Sequence, residues 1–289
     1  MIFNTSVIKN IWRDIRAQGS VSGGLLPRVI CVIAYYMFYG FNRRRGWDQD
    51  RSRLAALKAL TRCGISGWLV TVRSPEGLIL RLDAFSASFI LKEIRAERSY
   101  TRFEGFLPAP GETVVDVGGH QGIFAMEAAR LVGKSGRVLV AEASPVNVGI
   151  LRENVEINAF KNVTVVHRAV TDYKGEAILY LTDEMSGGHS LVVNEPDRTP
   201  VKIAADTLDS ILAAHGIGRV DLLKIDVEGA AMQVLSGATE TLKTLPRIVM
   251  EVEGGEEKCR LIRERLEALG YRTRETGAIV YADPASERS

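Results

Sequence analysis

The sequence is short of several things. Only three of its 289 residues are cysteine, at Cys31, Cys63 and Cys259, and none form a CxxC pair. An odd, scattered set excludes a disulfide framework or a zinc ribbon and fits a reducing compartment. Each is expected to act as a small buried or half-buried hydrophobe. An excess of charge of one sign is also missing: 37 basic residues face 35 acidic ones, for a net charge of +2. The basic residues form no long stripe with interleaved aromatics, which counts against a nucleic-acid partner. Internal repeats and low-complexity tracts are absent. The uncharged apolar run Val29–Phe41 (VICVIAYYMFYGF) has thirteen residues, whereas a spanning helix needs about 20. No small-x-small cleavage site follows it, and Arg43, Arg44 and Arg45 lie on the wrong side for a signal peptide. What remains is an ordinary globular composition, 46% hydrophobic and 25% charged, enough for one large domain or one domain with a smaller piece.

Upstream of that run, Val7, Ile8, Ile11, Trp12 and Ile15 repeat at helical spacing, with Lys9, Arg13 and Arg16 between them. These N-terminal segments have three readings: helices packed on the main domain or on a second copy of the chain, helices lying on a membrane surface through residues 1–45, or a true membrane span. Residues 1–60 are predicted to be a helical, partly apolar extension, with Arg53–Arg62 helical. Residues 61–110 are predicted to hold a hairpin around Ser74-Pro75-Glu76-Gly77 and a helix over Phe89–Arg102. Residues 111–289 are predicted to be the main domain.

In that domain strand and helix signals alternate. Strands are predicted at Thr113–Val117, Arg137–Ala141, Val163–His167, Leu222–Ile225 and Ile248–Val252. Helices are predicted at Ile123–Leu131, Asn147–Asn158, Ala230–Ser236 and Glu256–Leu269. This alternation implies an α/β fold, a parallel sheet with helices on both faces. Ala177–Leu181 and Val201–Ala205 read as an inserted or edge pair, and Tyr271–Thr276 with Ala278–Ala282 as a closing hairpin around Gly277.

The first strand runs into VVDVGGHQGIF. Gly118, Gly119 and Gly122 follow an apolar strand and precede a helix, where helix N–H groups point into the ligand crevice of an open sheet. A dinucleotide fingerprint would need glycines at the positions of His120 and Ile123, so it fails. The spacing is D-x-G-x-x-x-G, with Asp116 two residues before the first glycine. A carboxylate there suits a cationic amino group and not a pyrophosphate, which favours S-adenosylmethionine over a nicotinamide dinucleotide. Glu142 ends the second strand 26 residues later, where a carboxylate can accept from ribose hydroxyls. The alternative for either acid is a helix or turn cap.

These residues resemble those of class I S-adenosylmethionine-dependent methyltransferases, and more narrowly of the FkbM family. The resemblance covers roughly Leu78–Val252 and rests on VVDVGGHQGIF, AEASPVNVGILRENVEIN, VTVVHRAVTDYKGEAILY, ADTLDSIL, DLLKIDVEGAAMQVLSGA and IVMEVE. It implies a Rossmann-like seven-stranded sheet with its last strand antiparallel. It also implies S-adenosylmethionine as donor and transfer to a hydroxyl of a sugar, glycolipid or natural product. His120 stands where the family usually has asparagine, Ala143 where it has proline, and Ala231 where it often has an acid. By the same resemblance Asp116, Gly118, Gly119, His120 and Gly122 face the methionine part of the donor. Glu142 binds its ribose, Ala143 and Ser144 border its adenine, and Arg168 and Ala169 close over that ring. Asp226 lies nearest the methyl.

A hydroxyl acceptor needs a general base. Lys224 and Asp226 share one side of their strand. Asp226 is either the base or an orienting or capping acid, and Glu251 ends the neighbouring strand. Lys224 is either a participant or an ion-pair partner. His189, in the polar stretch SGGHS, is either a base folded over the acceptor or a solvated loop residue. Glu228 is expected to open a helix and complement its dipole. No metal motif is visible, although Asp226 with Glu251 or Glu253 offers oxygen ligands suited to magnesium. Two rival functions are a nucleic-acid methyltransferase on the same fold and a non-catalytic donor-binding scaffold. Against the first, the chain has no N/D-P-P-Y/F motif and no cysteine near the fourth-strand box. The expected location is the cytoplasm, at or away from the inner face of a membrane.

Overall fold

The computed structural model describes residues 14, 23–46, 49–65, 67–95, 97–181, 191 and 198–285. They fall into two compact units, one up to Arg98 and one from Ser99 onward. His189 and the amphipathic pattern over Val7–Ile15 lie outside the described residues, apart from Asp14.

In the first unit, helix α1 (Leu25–Arg44) packs beside helix α2 (Gln49–Arg62). One face of α1 presents Cys31, Ala34, Tyr35 and Phe38 to a small core containing Leu57, Leu60, Ala84 and Phe85. The Arg28 side chain is buried, and its guanidinium donates to the Gly23 carbonyl at 2.8 Å. The other face leaves Leu26, Ile33, Met37 and Phe41 exposed. By length and composition α1 could cross a membrane, with a mean hydropathy of 1.3 over its most apolar window, but 33% of that window is buried. Cys31 and Cys259 are buried as expected, whereas Cys63, just past the end of α2, is exposed.

Strands β1 (Leu69–Arg73) and β2 (Ile79–Asp83) form the expected antiparallel hairpin, closed by the Gly77 N–H donating to Ser74 O at 3.0 Å. The helix predicted over Phe89–Arg102 is placed differently. A π-helical turn begins at Ser86, because the Asp83 carboxylate accepts from the Ser86 N–H and hydroxyl, both at 2.8 Å. It continues as α3 (Leu91–Arg95) and stops there. Arg98 takes a left-handed conformation at φ 54°, which α-helix cannot accommodate, so Tyr100 lies in a turn.

The second unit carries the main sheet. Its elements in chain order are β3 (Thr113–Val117), α4 (Ile123–Val132), β4 (Arg137–Glu142), α5 (Pro145–Ile157), β5 (Val163–His167), β6 (Ala169–Thr171), β7 (Gly175–Leu181), β8 (Thr199–Thr207), α6 (Leu208–Ala214), β9 (Leu222–Ile225), α7 (Ala231–Ser236), α8 (Thr239–Lys243), β10 (Arg247–Glu251), α9 (Gly255–Ala268), β11 (Tyr271–Thr276) and β12 (Ile279–Pro284). The order across the sheet is β11-β12-β10-β9-β3-β4-β5. Five strands, β10 to β5, run parallel, and β12 is antiparallel to both of its neighbours. This is the seven-stranded, mostly parallel sheet expected from the resemblance. Its central strands β3 and β9 are buried on both sides, which is why each reads as an apolar run broken by a single charge, Asp116 or Lys224. The pair β7–β8 forms in register, and β6, which the sequence does not announce, joins β8 to make a separate three-stranded sheet.

The strand order reverses at β3. The chain moves outward through β4 and β5, then returns to place β9 and β10 on the opposite side. A crevice opens at the carboxyl ends of strands at such a reversal, here between β3 and β9.

Candidate functional site

The turn after β3 is locked by its neighbours. The Gly118 and Gly119 N–H groups donate to Ala141 O at 2.9 and 3.1 Å, and Asn154 Nδ2 donates to Gln121 O at 2.8 Å. Gly118 has φ 80°, and a Cβ there would lie 1.6 Å from the Asp226 carbonyl oxygen. At Gly119 a Cβ would lie 2.0 Å from Val140. These glycines therefore let the β3 tip touch β9 and β4, a protein–protein need as strict as any ligand's. His120 sits at φ 51°, in the left-handed region.

Glu142, at the tip of β4, is buried. Its Oε2 accepts from the His120 N–H at 2.8 Å and its Oε1 from the Ser144 N–H at 2.7 Å. It thus joins the glycine turn to the start of α5, which Ser144 caps. The Asn147 side chain also hydrogen-bonds this carboxylate, and its two oxygens together have capacity for a further donor. Burial pushes the Glu142 carboxyl up to about 7, against the pull of those two N–H groups.

Asp116 is fully buried, and its Oδ2 has no hydrogen-bond partner among the described residues. Its Oδ1 lies 2.9 Å from Lys224 Nζ, which also donates to Gly118 O at 2.8 Å and lies 3.5 Å from Asp226 Oδ2. Burial would pull Lys224 down, but Asp116 and Asp226 outweigh it and hold the ammonium above its ordinary value. Burial pushes the Asp116 carboxyl up, opposed by Lys224. Lys224 is thereby an ion-pair strut between the tips of β3 and β9.

The Asp226 side chain is 31% exposed. The Tyr100 hydroxyl lies 3.0 Å from Asp226 Oδ2 and 3.1 Å from Glu251 Oε2, so it bridges the tips of β9 and β10. Sequence reasoning missed Tyr100, because it falls inside the span predicted as helix, Phe89–Arg102, and nothing in that pattern marks it as reaching the strand tips. It also misplaced Glu228. No acid stands in the first turn of α7, and Glu228 lies ahead of that helix at φ 43°. It hydrogen-bonds Glu253, and burial with that contact pushes it up to about 10.

The remaining sequence-predicted residues are spread around this core. Ala143 and Ala169 meet in the cluster beneath the small sheet, while the Arg168 side chain is exposed. Among the described residues, no group of three or more His, Cys, Asp or Glu side chains is placed to hold a metal ion.

The orphaned Asp116 oxygen and the spare capacity of Glu142, at successive strand tips, fit a ligand with an amino group and a ribose. Comparisons with known proteins identify the family. A family profile described as the methyltransferase FkbM domain matches residues 116–273. The methyltransferase sdnD of Sordaria araneosa is 27% identical over 218 residues, covering 65% of this chain and 82% of that protein. The 31-O-demethyl-FK506 methyltransferase FkbM of Streptomyces tacrolimicus is 27% identical over 199 residues, covering 59% and 76%. Among solved structures, a methyltransferase FkbM from Methylobacillus flagellatus KT matches with a TM-score of 0.47 at 16% identity, over 69% of this chain and 52% of that one. The chain belongs to the FkbM-domain methyltransferases, class I enzymes whose methyl donor is S-adenosylmethionine.

Proposed function

We propose that the protein methylates a hydroxyl group on a sugar, glycolipid or other natural product. Bound S-adenosylmethionine supplies an electrophilic methyl group. Asp116 and the 118–122 turn hold its amino-acid end, and Glu142 accepts from its ribose hydroxyls. Ala143, Ser144, Arg168 and Ala169 border its adenine. Asp226 receives or orients the acceptor hydroxyl proton, because an alcohol is a poor nucleophile until that proton is leaving. One observation carries this reading: Asp226 is the partly exposed acid at the strand-order reversal, and its Oδ2 is fixed by Lys224 and Tyr100. Oxygen as the target is supported by the relative named for a 31-O-demethyl compound. Contact with a membrane surface is a further part of the reading, and the exposed apolar stripe of α1 with Arg43, Arg44 and Arg45 at its end supports it.

The test supplies methyl-tritiated S-adenosylmethionine with either a total lipid and glycan extract or bulk RNA. Label is expected in the extract and lost with Asp226→Asn. Label in RNA would point to the nucleic-acid alternative. Calorimetric binding of the demethylated donor with no transfer to either would make the protein a scaffold.

A further inference from the structure

We propose that Tyr100 is a positioning residue of the acceptor site, whose hydroxyl ties Asp226 to Glu251 and passes the acceptor's proton from the first to the second. The inference rests on the reading above, that Asp226 takes this proton.

A phenol has one proton to donate and lone pairs with which to accept. Tyr100 places that single group within 3.0 Å of Asp226 Oδ2 and 3.1 Å of Glu251 Oε2. Two carboxylates converging on one hydroxyl repel each other unless a proton lies between them, and Tyr100 provides it. The ring is only 3% exposed. Phe124 meets it edge-on at 5.9 Å between centroids, and Lys224 Nζ lies 5.1 Å from its centroid. The hydroxyl is therefore fixed by packing as well as by its partners. Both Lys224 and Tyr100 reach Asp226 on Oδ2, which leaves Oδ1 for an incoming hydroxyl. One chain of contacts thus runs Asp116–Lys224–Asp226–Tyr100–Glu251, across the tips of β3, β9 and β10.

The proton balance is simple. The acceptor O–H bond breaks as its oxygen gains the methyl group, the sulfur–methyl bond of the donor breaking with its electron pair left on sulfur, and the proton goes to Asp226. Asp226 then gives a proton to the Tyr100 oxygen while the original Tyr100 proton passes to Glu251. Asp226 ends anionic, Tyr100 neutral and Glu251 protonated, with no reactant needed beyond donor and acceptor.

Tyr100→Phe removes the hydroxyl and keeps the ring. Affinity for the demethylated donor, read by calorimetry, is expected to stay within about threefold of wild type. The initial rate of label transfer into the extract at saturating donor is expected to fall about 10- to 100-fold, the scale of a general acid–base contribution. Losing a donor to a charged carboxylate favours its protonated form, so the acid limb of the pH–rate profile should move to higher pH. Glu251→Gln should slow transfer similarly, and adding Tyr100→Phe to it should cost little more, because residues acting as a unit are not additive. This second variant decides the matter if Tyr100→Phe alone does not bind donor. Wild-type rates with an unmoved profile, or additive losses in the double variant, would overturn the role of Tyr100 alone. A wild-type enzyme that labels no extract component would instead overturn the hydroxyl-transfer reading beneath it.

Discussion

In the proposed function, Glu142 joins donor affinity to pH. Burial holds its carboxyl near 7, and only the anion can accept from both ribose hydroxyls without giving up a lone pair to its own proton. If binding requires the anion, affinity for the demethylated donor should weaken about tenfold between pH 8 and pH 6. Calorimetry at the two pH values reads it directly. Glu228 acts on stability. Its carboxyl, ordinarily near 4.5, is raised to about 10 in the folded protein by burial and by Glu253. The folded state therefore keeps a proton that the unfolded chain has released. That contribution is complete below about pH 4.5 and declines as pH rises toward about 10. Glu228→Gln imitates the protonated group, so its melting temperature should exceed that of wild type at pH 9 and approach it at pH 5. At this scale the two strand-tip acids Asp116 and Glu142 were legible, because spacing from a glycine turn reveals them. Tyr100 and the Glu228–Glu253 contact were not, since each depends on loops brought together only by the sheet.

Among the elements, the tip of β3 tolerates least change. Gly118→Ala would drive a methyl into the Asp226 carbonyl and hold alanine at φ 80°, a strain of at least about 2 kcal/mol. A large loss of melting temperature is expected, alongside lost donor binding. Helix α1 offers the opposite case, a surface without a described function. Met37→Asp with Phe41→Asp places charges on exposed positions and spares the face packed on α2. If α1 rests on a membrane, the double variant should lose co-sedimentation with vesicles containing anionic phospholipid and keep its melting temperature. Equal sedimentation would remove the membrane from the account. The strands of the main sheet were legible almost to the residue, because burial makes the central ones mostly apolar and a glycine turn at Gly277 marks the closing pair. The helix near Phe89 was not, because an aspartate cap at Asp83 and a left-handed Arg98 outvote its periodicity.

At the scale of the whole molecule, α/β alternation revealed the parallel sheet, the antiparallel run of β12 came from the resemblance, and its seat inside the sheet is seen only in the structure. β11 hydrogen-bonds only β12 within the main sheet. A chain cut before Ile279 should therefore lose two strands' worth of order and leave β10 with an open flank, prone to aggregate. Size-exclusion chromatography of that truncation should show large species, whereas one cut after Ala285 should elute as the intact chain does. The same insertion governs how the protein is made. Of the seven strands in this sheet, the one synthesised last fills an interior slot, so a ribosome translating this message carries a half-built sheet with a hydrophobic gap. Until Ile279–Pro284 slides in, β10 and β11 lack the strand that joins them.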